Sequence, residues 1–443
     1  MNVEGGVLVL SHVGFSFVED LIEALRVRQL KVFLLSSLPV PEHQPKRLQD
    51  LREKVDVLHS TESHVLTRED LESCMASLQQ GGERVLCCIT VWEGYRHLMA
   101  LANSHLGVPD LDESLIHALR NKLALRNRLA DASLTSIRAT ALTRESLETL
   151  KQSERRYFIK PVSGIASYGA FSLRPQTQWS ELEQIAKHAE LDTVYASAFG
   201  EGLSFLAEDY LPGREFSFEV IAVDGDAQIV AIHEKCELTE VGGTVLENCC
   251  TSPPFTLSER ECADGIRWVR DVLLHLDARW GCFHVEARYH ESRWDLIEVN
   301  PRVGGSLISH SVKAMTGTYG MLDLWLDTLL SHTGDDESAR NDFRTRLKAI
   351  SFTTDGASPV SNATFFRVYF AKQGTIKEIA LREQPTTPVV SHILLKAGDT
   401  IDSTSREVFL GQLLWKLPLE ERAQQLPHLL RTSEEAIEIH YDV

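Results

Sequence analysis

The chain opens by alternating short apolar runs with amphipathic stretches. Val7-Leu8-Val9-Leu10 reads as a buried strand, 15–27 as a helix and 31–35 as a second strand. A further strand at 85–89 precedes a helical segment at 95–104. Strand, helix and strand of these lengths predict a parallel α/β unit over about residues 1–110. Residues 112–132 read as one helix, with Leu115, Leu119, Leu123 and Leu129 as its buried stripe and Asp112 or Ser114 as its cap. Strand-rich sequence resumes at Tyr157, and a glycine-containing loop, a helix at 179–189 and several strands follow. The C-terminal part has β-rich stretches at 365–371 and 389–395 and a predicted helix at 405–415.

Length and composition narrow the class. At roughly 100–200 residues per domain, 443 residues suggest two to four domains. The net charge of −18 argues against a broad nucleic-acid surface, though not against a local basic pocket for phosphates. No apolar stretch approaches the roughly 20 residues that span a membrane. The start, Met1-Asn2-Val3-Glu4, lacks the basic and apolar pattern of a secretory signal. Eight cysteines without a CxxC fit neither a zinc site nor a disulfide framework, and reduced thiols in a cytosol are the plain reading. The opening also lacks G-x-G-x-x-G: Gly5-Gly6 precedes the first strand, where a dinucleotide loop would follow it.

Four segments carry candidate chemistry. In His284-Val285-Glu286-Ala287-Arg288 and Leu296-Ile297-Glu298-Val299-Asn300-Pro301-Arg302 the side chains alternate with period two. The polar stretch 290–293 suits a hairpin turn, and pairing about residue 292 sets Glu286 opposite Glu298. Facing carboxylates repel unless a cation lies between them. Oxygen donors favour Mg²⁺ or Mn²⁺ over zinc. Taken alone, the pattern also fits an exposed face with scattered charge. In the second segment Lys160 ends an apolar strand, and a small-residue loop with Gly164 and Gly169 follows, whose backbone N–H groups suit phosphate oxygens. An ordinary β-turn fits equally well. Lys122 and Arg126, four residues apart on a helix, repel slightly unless an anion is near, and a solvated face is the plainer reading. Glu208 and Glu215 flank a Pro212-Gly213 turn suited to an adenine and ribose.

In this order the segments resemble the ATP-grasp superfamily, over most of residues 1–330, with an ordered E-x₁₁-E-x-N-x-R ending as the specific mark. The resemblance implies an α/β ATP-grasp fold: an N-terminal Rossmann-like parallel α/β domain (1–112), a central α+β lid with its connecting helix (113–212), a C-terminal α+β catalytic lobe (213–345) and a β-rich module completing it (346–443). It implies ATP and two Mg²⁺ ions, with Mn²⁺ as a substitute. By position, Lys122 and Lys160 would contact phosphates, and the loop holding Ser163, Gly164, Ser167 and Gly169 would close over them. Glu208, Tyr210 and Leu211 would hold adenine and Glu215 the ribose. Glu286, Glu298 and Asn300 would bind metal, and Arg302 would stabilise developing charge.

The finer resemblance is to L-amino-acid ligases of the bacilysin-synthetase type, on Glu215-Phe216-Ser217-Phe218-Glu219-Val220, on His233-Glu234-Lys235 with Thr244-Val245-Leu246-Glu247 and Pro253-Pro254, and on Val303-Gly304-Gly305-Ser306. It implies a cytoplasmic enzyme joining a small-molecule carboxylate to an amine through an acyl-phosphate, with no nucleic-acid or membrane partner and a homodimer as one option. A specialised amide ligase and a non-catalytic nucleotide-binding regulator are the alternatives. Glu247, Arg302, Gly305, Ser306 and His310 are the implied substrate-side residues. His233, Glu234 and His310 are candidate bases for the amine, and Lys313 a candidate carboxylate anchor. One departure stands out: the family's Glu-x-x-His reads Glu247-Asn248-Cys249-Cys250 here. Ser306 is small, which leaves room in a substrate pocket.

Overall fold

The computed structural model describes residues 5–15, 17–199, 202–241, 244–333, 337–401 and 408–442. The strands β1 (Gly6–Ser11), β2 (Lys31–Ser36), β3 (Val57–Ser60) and β4 (Val85–Ile89) form a parallel sheet in the order β3-β2-β1-β4. β1 is buried along its whole length, as a near-continuous apolar run in a sheet covered on both faces should be. A second, antiparallel sheet is built from β5 (Ala139–Ala141), β6 (Tyr157–Pro161), β7 (Phe171–Ser172) and β8 (Phe205–Asp209), in the order β5-β8-β6-β7.

The large antiparallel sheet holds β9 (Arg214–Val223), β10 (Asp226–Val241), β11 (Thr244–Ser252), β12 (Gly281–His290), β13 (Arg293–Asn300), β14 (Asn362–Ala371), β16 (Val390–Ile393) and β18 (Val408–Pro418). Its order is β13-β12-β9-β10-β11-β14-β18-β16, so one sheet runs through both C-terminal segments. A small sheet of β15 (Gly374–Leu381), β17 (Thr400–Ile401) and β19 (Ile437–Tyr441) caps the C-terminal end of the chain. Among the described residues no helix is long and apolar enough to cross a membrane.

The period of two along β9 and β12 decides what the large sheet offers. Phe216, Phe218 and Val220 share a core with Phe283, Val285 and Ala287. That leaves Glu215, Ser217 and Glu219, with His284, Glu286 and Arg288, on the other face. The helix Glu259–His275 covers the apolar face, and Gly265 permits the close approach: a Cβ there would lie 2.8 Å from both Phe218 and Trp294.

Two expected elements come out differently. The single helix over 112–132 is two helices, Glu113–Arg120 and Lys122–Asp131, with Asp112 capping the first. The break is at Asn121, whose side chain accepts from the Ala124 N–H at 3.0 Å. The Lys122 N–H leaves the helix pattern and donates to the Val162 carbonyl at 2.9 Å. The expected helix at 405–415 is strand β18 from Val408 on; 402–407 lie outside the described residues. Leu410, Leu413, Leu414 and Leu417 imitate a helical period because both faces of this strand are buried. Leu410, Leu413 and Leu417 enter one core and Leu414 another.

Candidate active site

The hairpin β12–β13 sets Glu286 opposite Glu298. The tight turn has Glu291 and Ser292 at φ 47° and 61°, the left-handed pair of a two-residue hairpin loop. A bulge between Glu286 and Ala287 inserts Ile297 as the extra residue, and without it Glu286 would face Ile297. The Ile297 carbonyl, freed from regular pairing, accepts from Lys160 Nζ at 3.4 Å and from the Arg126 guanidinium at 3.2 Å. Asn300 Nδ2 donates to Glu298 at 2.9 Å.

The basic residues converge on this hairpin. Lys122 Nζ is 3.1 Å from Glu298 and 3.2 Å from the Gly164 carbonyl. Lys160 Nζ is 2.7 Å from Glu208, which Arg126 also pairs with at 3.0 Å. Arg126 is almost wholly buried, so the solvated-face reading of Lys122 and Arg126 gives way to an ionic network. The sequence pattern hid it because both partners, Glu208 and Glu298, lie far along the chain. Burial and the neighbouring Arg126 guanidinium push the Lys160 ammonium down against the pull of Glu208. Burial also opposes the charge on Lys122, but Glu298 and Glu93 carry it upward.

The loop after β6 closes this region. Gly164 and Ser167 line a cavity with Lys122, Lys160, Glu208, Tyr210, Leu211 and Glu215. Ala166, Ser167 and Gly169 all have φ between 53° and 70°, a run of left-handed backbone that turns the loop sharply. A Cβ on Gly169 would lie 3.0 Å from Ile185, and φ 70° strains any other residue, so both favour glycine there. Ser163 points elsewhere, donating to the Arg120 carbonyl at 3.3 Å. Arg288 pairs with Glu215 at 2.9 Å and donates to the Leu211 carbonyl, fixing the strap between β8 and β9.

A second constellation joins residues that the sequence places in separate motifs. Glu215, Glu247 and Glu286 bring carboxylate oxygens within 4.8 Å of one another. Lys235 on β10 reaches into the group, 2.8 Å from Glu286 and in contact with Glu247. Burial opposes its charge, yet the two carboxylates hold its pKa well above the usual range. Burial pushes the Glu247 carboxyl up to about 7, with Lys235 pulling the other way. Beside this group Glu219 holds His284 at 2.9 Å, and its carboxylate raises the imidazole to about 10 despite burial. Lys235 stands in the sequence within the His233-Glu234-Lys235 segment, but its partners Glu247 and Glu286 lie on other strands.

A larger cavity adjoins the first. Arg302, Gly305, Ser306, Glu247 and Asn300 line it. Arg302 is held by Glu93 at 3.0 Å, a partner contributed by the N-terminal domain that no local motif marked. Ser306 donates to Gln412 at 2.7 Å. His310 is not among the residues lining these two cavities, and its Nε2 lies 3.2 Å from Asp20. The other candidate bases already have protein partners. His233 is buried between Ser311 and Glu219, and Glu234 accepts from the Phe255 and Thr256 N–H groups at 2.6 and 2.9 Å. Lys313 is exposed, and Cys250 is buried opposite Lys235 on the neighbouring strand.

Residues 155–310 match the family model of the ATP-grasp domain. The chain carries an ATP-grasp domain. The whole chain shares its fold with enzymes of that type. An L-amino acid ligase from Bacillus licheniformis superposes with a TM-score of 0.73 at 19% identity, covering 99% of this chain and 100% of that one. A phosphoribosylglycinamide synthetase from Anaerococcus prevotii gives 0.65 at 14% identity, with 99% and 100% covered. An N5-carboxyaminoimidazole ribonucleotide synthetase solved as its ADP complex gives 0.61 at 12%, with 98% of each chain covered. No curated protein matches the chain in sequence. The cavities lie between the four-stranded sheet β5–β8 and the eight-stranded sheet.

Proposed function

We propose that the protein is an ATP- and magnesium-dependent carboxylate–amine ligase that joins an amino acid, or a related acid, to an amine. The observation that carries the reading is the facing pair Glu286 and Glu298, with Lys122, Lys160 and Arg302 gathered around it at the junction of lid and lobe. The likeness to the amino acid ligase supports it at the level of fold.

In this reading Tyr210 and Leu211 receive adenine, with Glu208 behind them, and Glu215 holds the ribose. Lys122 and Lys160 neutralise the phosphates, and the loop with Ser163, Gly164, Ser167 and Gly169 excludes water from the reacting groups. The oxygen donors of Glu286, Glu298 and Asn300 suit two Mg²⁺ ions, which Mn²⁺ could replace. Bound there, the ions would supply charge neutralisation on the transferred phosphoryl group. A substrate carboxylate oxygen attacks the γ-phosphorus, and the bond to ADP breaks. The amine nitrogen then attacks the acyl carbon, the carbon–oxygen bond to phosphate breaks, and the nitrogen loses its proton. Arg302, oriented by Glu93, stabilises the oxyanion of that second step. Glu247, Gly305 and Ser306 border the substrates.

The test is phosphate release with Mg²⁺-ATP across all pairs of the twenty amino acids, with products identified by mass. Release that needs two amino acids, with a product one water lighter than their sum, is the expected result. ATP turnover that no amine or acid stimulates would overturn the reading.

A further inference from the structure

The larger cavity, about 350 Å³, is lined from β12 and β13 on one side of the large sheet and from β14 and β18 several strands away, and these two ends differ chemically. Arg302, Glu247, Glu286 and Glu298 make one end polar. The other end is a wall of apolar side chains. β14 contributes Phe366, Val368 and Phe370. These are alternate positions, so one strand face lines the cavity over roughly 13 Å. Phe409 on β18 pairs with Phe370 across the sheet, their rings 5.1 Å apart, and continues the wall to the surface.

The N-terminal domain and the lid add aromatic groups to the same cavity, Trp92 and Tyr195. Trp92 is held in place. It stacks on His12 with ring centroids 4.3 Å apart and planes 12° from parallel. His12 is anchored in turn by the Tyr95 hydroxyl at 2.8 Å and the Val194 carbonyl at 2.6 Å. Burial lowers the His12 pKa to about 4, so this support is an uncharged ring at neutral pH.

Joining a carboxylate to an amine engages only the polar end. Nothing in that chemistry calls for an apolar wall of this length, and pockets of this kind are filled by apolar ligand groups. We propose that one of the two substrates carries a bulky apolar side chain, arylalkyl or branched alkyl, seated along Phe366, Val368 and Phe370 with its reacting group toward Arg302. The inference takes the ligase reading as its frame and adds the substrate class.

The experiment reads binding apart from turnover. Phenylalanine and alanine are titrated by equilibrium dialysis onto the full chain holding Mg²⁺ and a non-hydrolysable ATP analogue, and each is then paired with all twenty amino acids in the phosphate-release assay. A methylene in an apolar pocket is worth about tenfold or more, so phenylalanine should bind at least about tenfold tighter than alanine. Val368→Asp should abolish that preference. Val368→Thr, nearly the same shape and safer for folding, should shrink the phenylalanine-to-alanine ratio at least about threefold. Equal binding of the two probes, or a ratio that Val368→Thr leaves in place, overturns the inference. Tight phenylalanine binding without phosphate release from any pair would keep the pocket assignment and remove the ligase reading. Release with small pairs alone would do the reverse.

Discussion

Lys235 and Glu286 stand two strands apart on one face of the large sheet, with Nζ and Oε1 2.8 Å apart and the lysine side chain 1% exposed. The ammonium lies where three carboxylates would otherwise repel one another. It is an internal counter-charge at a site whose donors also suit a divalent cation.

Replacing that charge should make stability depend on metal. Removing one partner of a buried pair typically costs about 3–5 kcal/mol. Lys235→Met should therefore melt well below the wild type in chelator. Added Mg²⁺ should raise its melting temperature by more than it raises that of the wild type, and scanning calorimetry with and without Mg²⁺ checks this. Equal Mg²⁺ shifts in the two proteins would show that the ion and Lys235 do not share the carboxylates.

Glu298 faces Glu286 because of the Ile297 bulge, and its charge is the feature the proposed reaction needs. Glu298→Gln keeps the shape and removes the charge. Amine-dependent phosphate release should drop at least about a hundredfold, the order seen when one electrostatic stabiliser is lost. Far-UV circular dichroism should be unaltered. Retained activity would exclude Glu298 from the reaction.

Ser306 borders the larger cavity and has φ 56°. Ser306→Trp should fill that border and shift relative kcat/KM toward smaller substrates. Unchanged ratios across substrate sizes would separate Ser306 from selectivity.

His12 gives a pH dependence of known sign. Its folded pKa is about 4, depressed by burial from the ordinary histidine value of 6.5. Above pH 6.5 folded and unfolded forms are both neutral and the full stability is present. As pH falls from 6.5 toward 4 the unfolded chain binds a proton that the folded one refuses, so stability declines. At pH 5 the loss should be about 2 kcal/mol. Urea unfolding of wild type and His12→Gln at pH 7.5 and 5 isolates it: the variant should lack this part of the acid destabilisation.

The alternation of β12 and β13 was readable because a strand's side chains alternate whatever surrounds it, and so was the facing of Glu286 and Glu298. The bulge that completes the register was not, since Ile297 differs from its neighbours only in what its carbonyl meets. The helix expected at 405–415 failed for a related reason. A strand buried on both faces loses its period of two, and Leu410, Leu413, Leu414 and Leu417 fall by accident on a helical spacing.

By itself the sequence determined the local rules: parallel strands at the start, a glycine loop after Lys160, and a hairpin that carries two carboxylates on one face. These follow from backbone geometry within a few residues. Only the tertiary structure decided which charge meets which. Arg302 with Glu93, Arg126 with Glu208, and Lys235 with Glu247 and Glu286 join different strands, helices or domains. A charge's partner is set by distance in space, and local spacing along the chain carries no record of that distance.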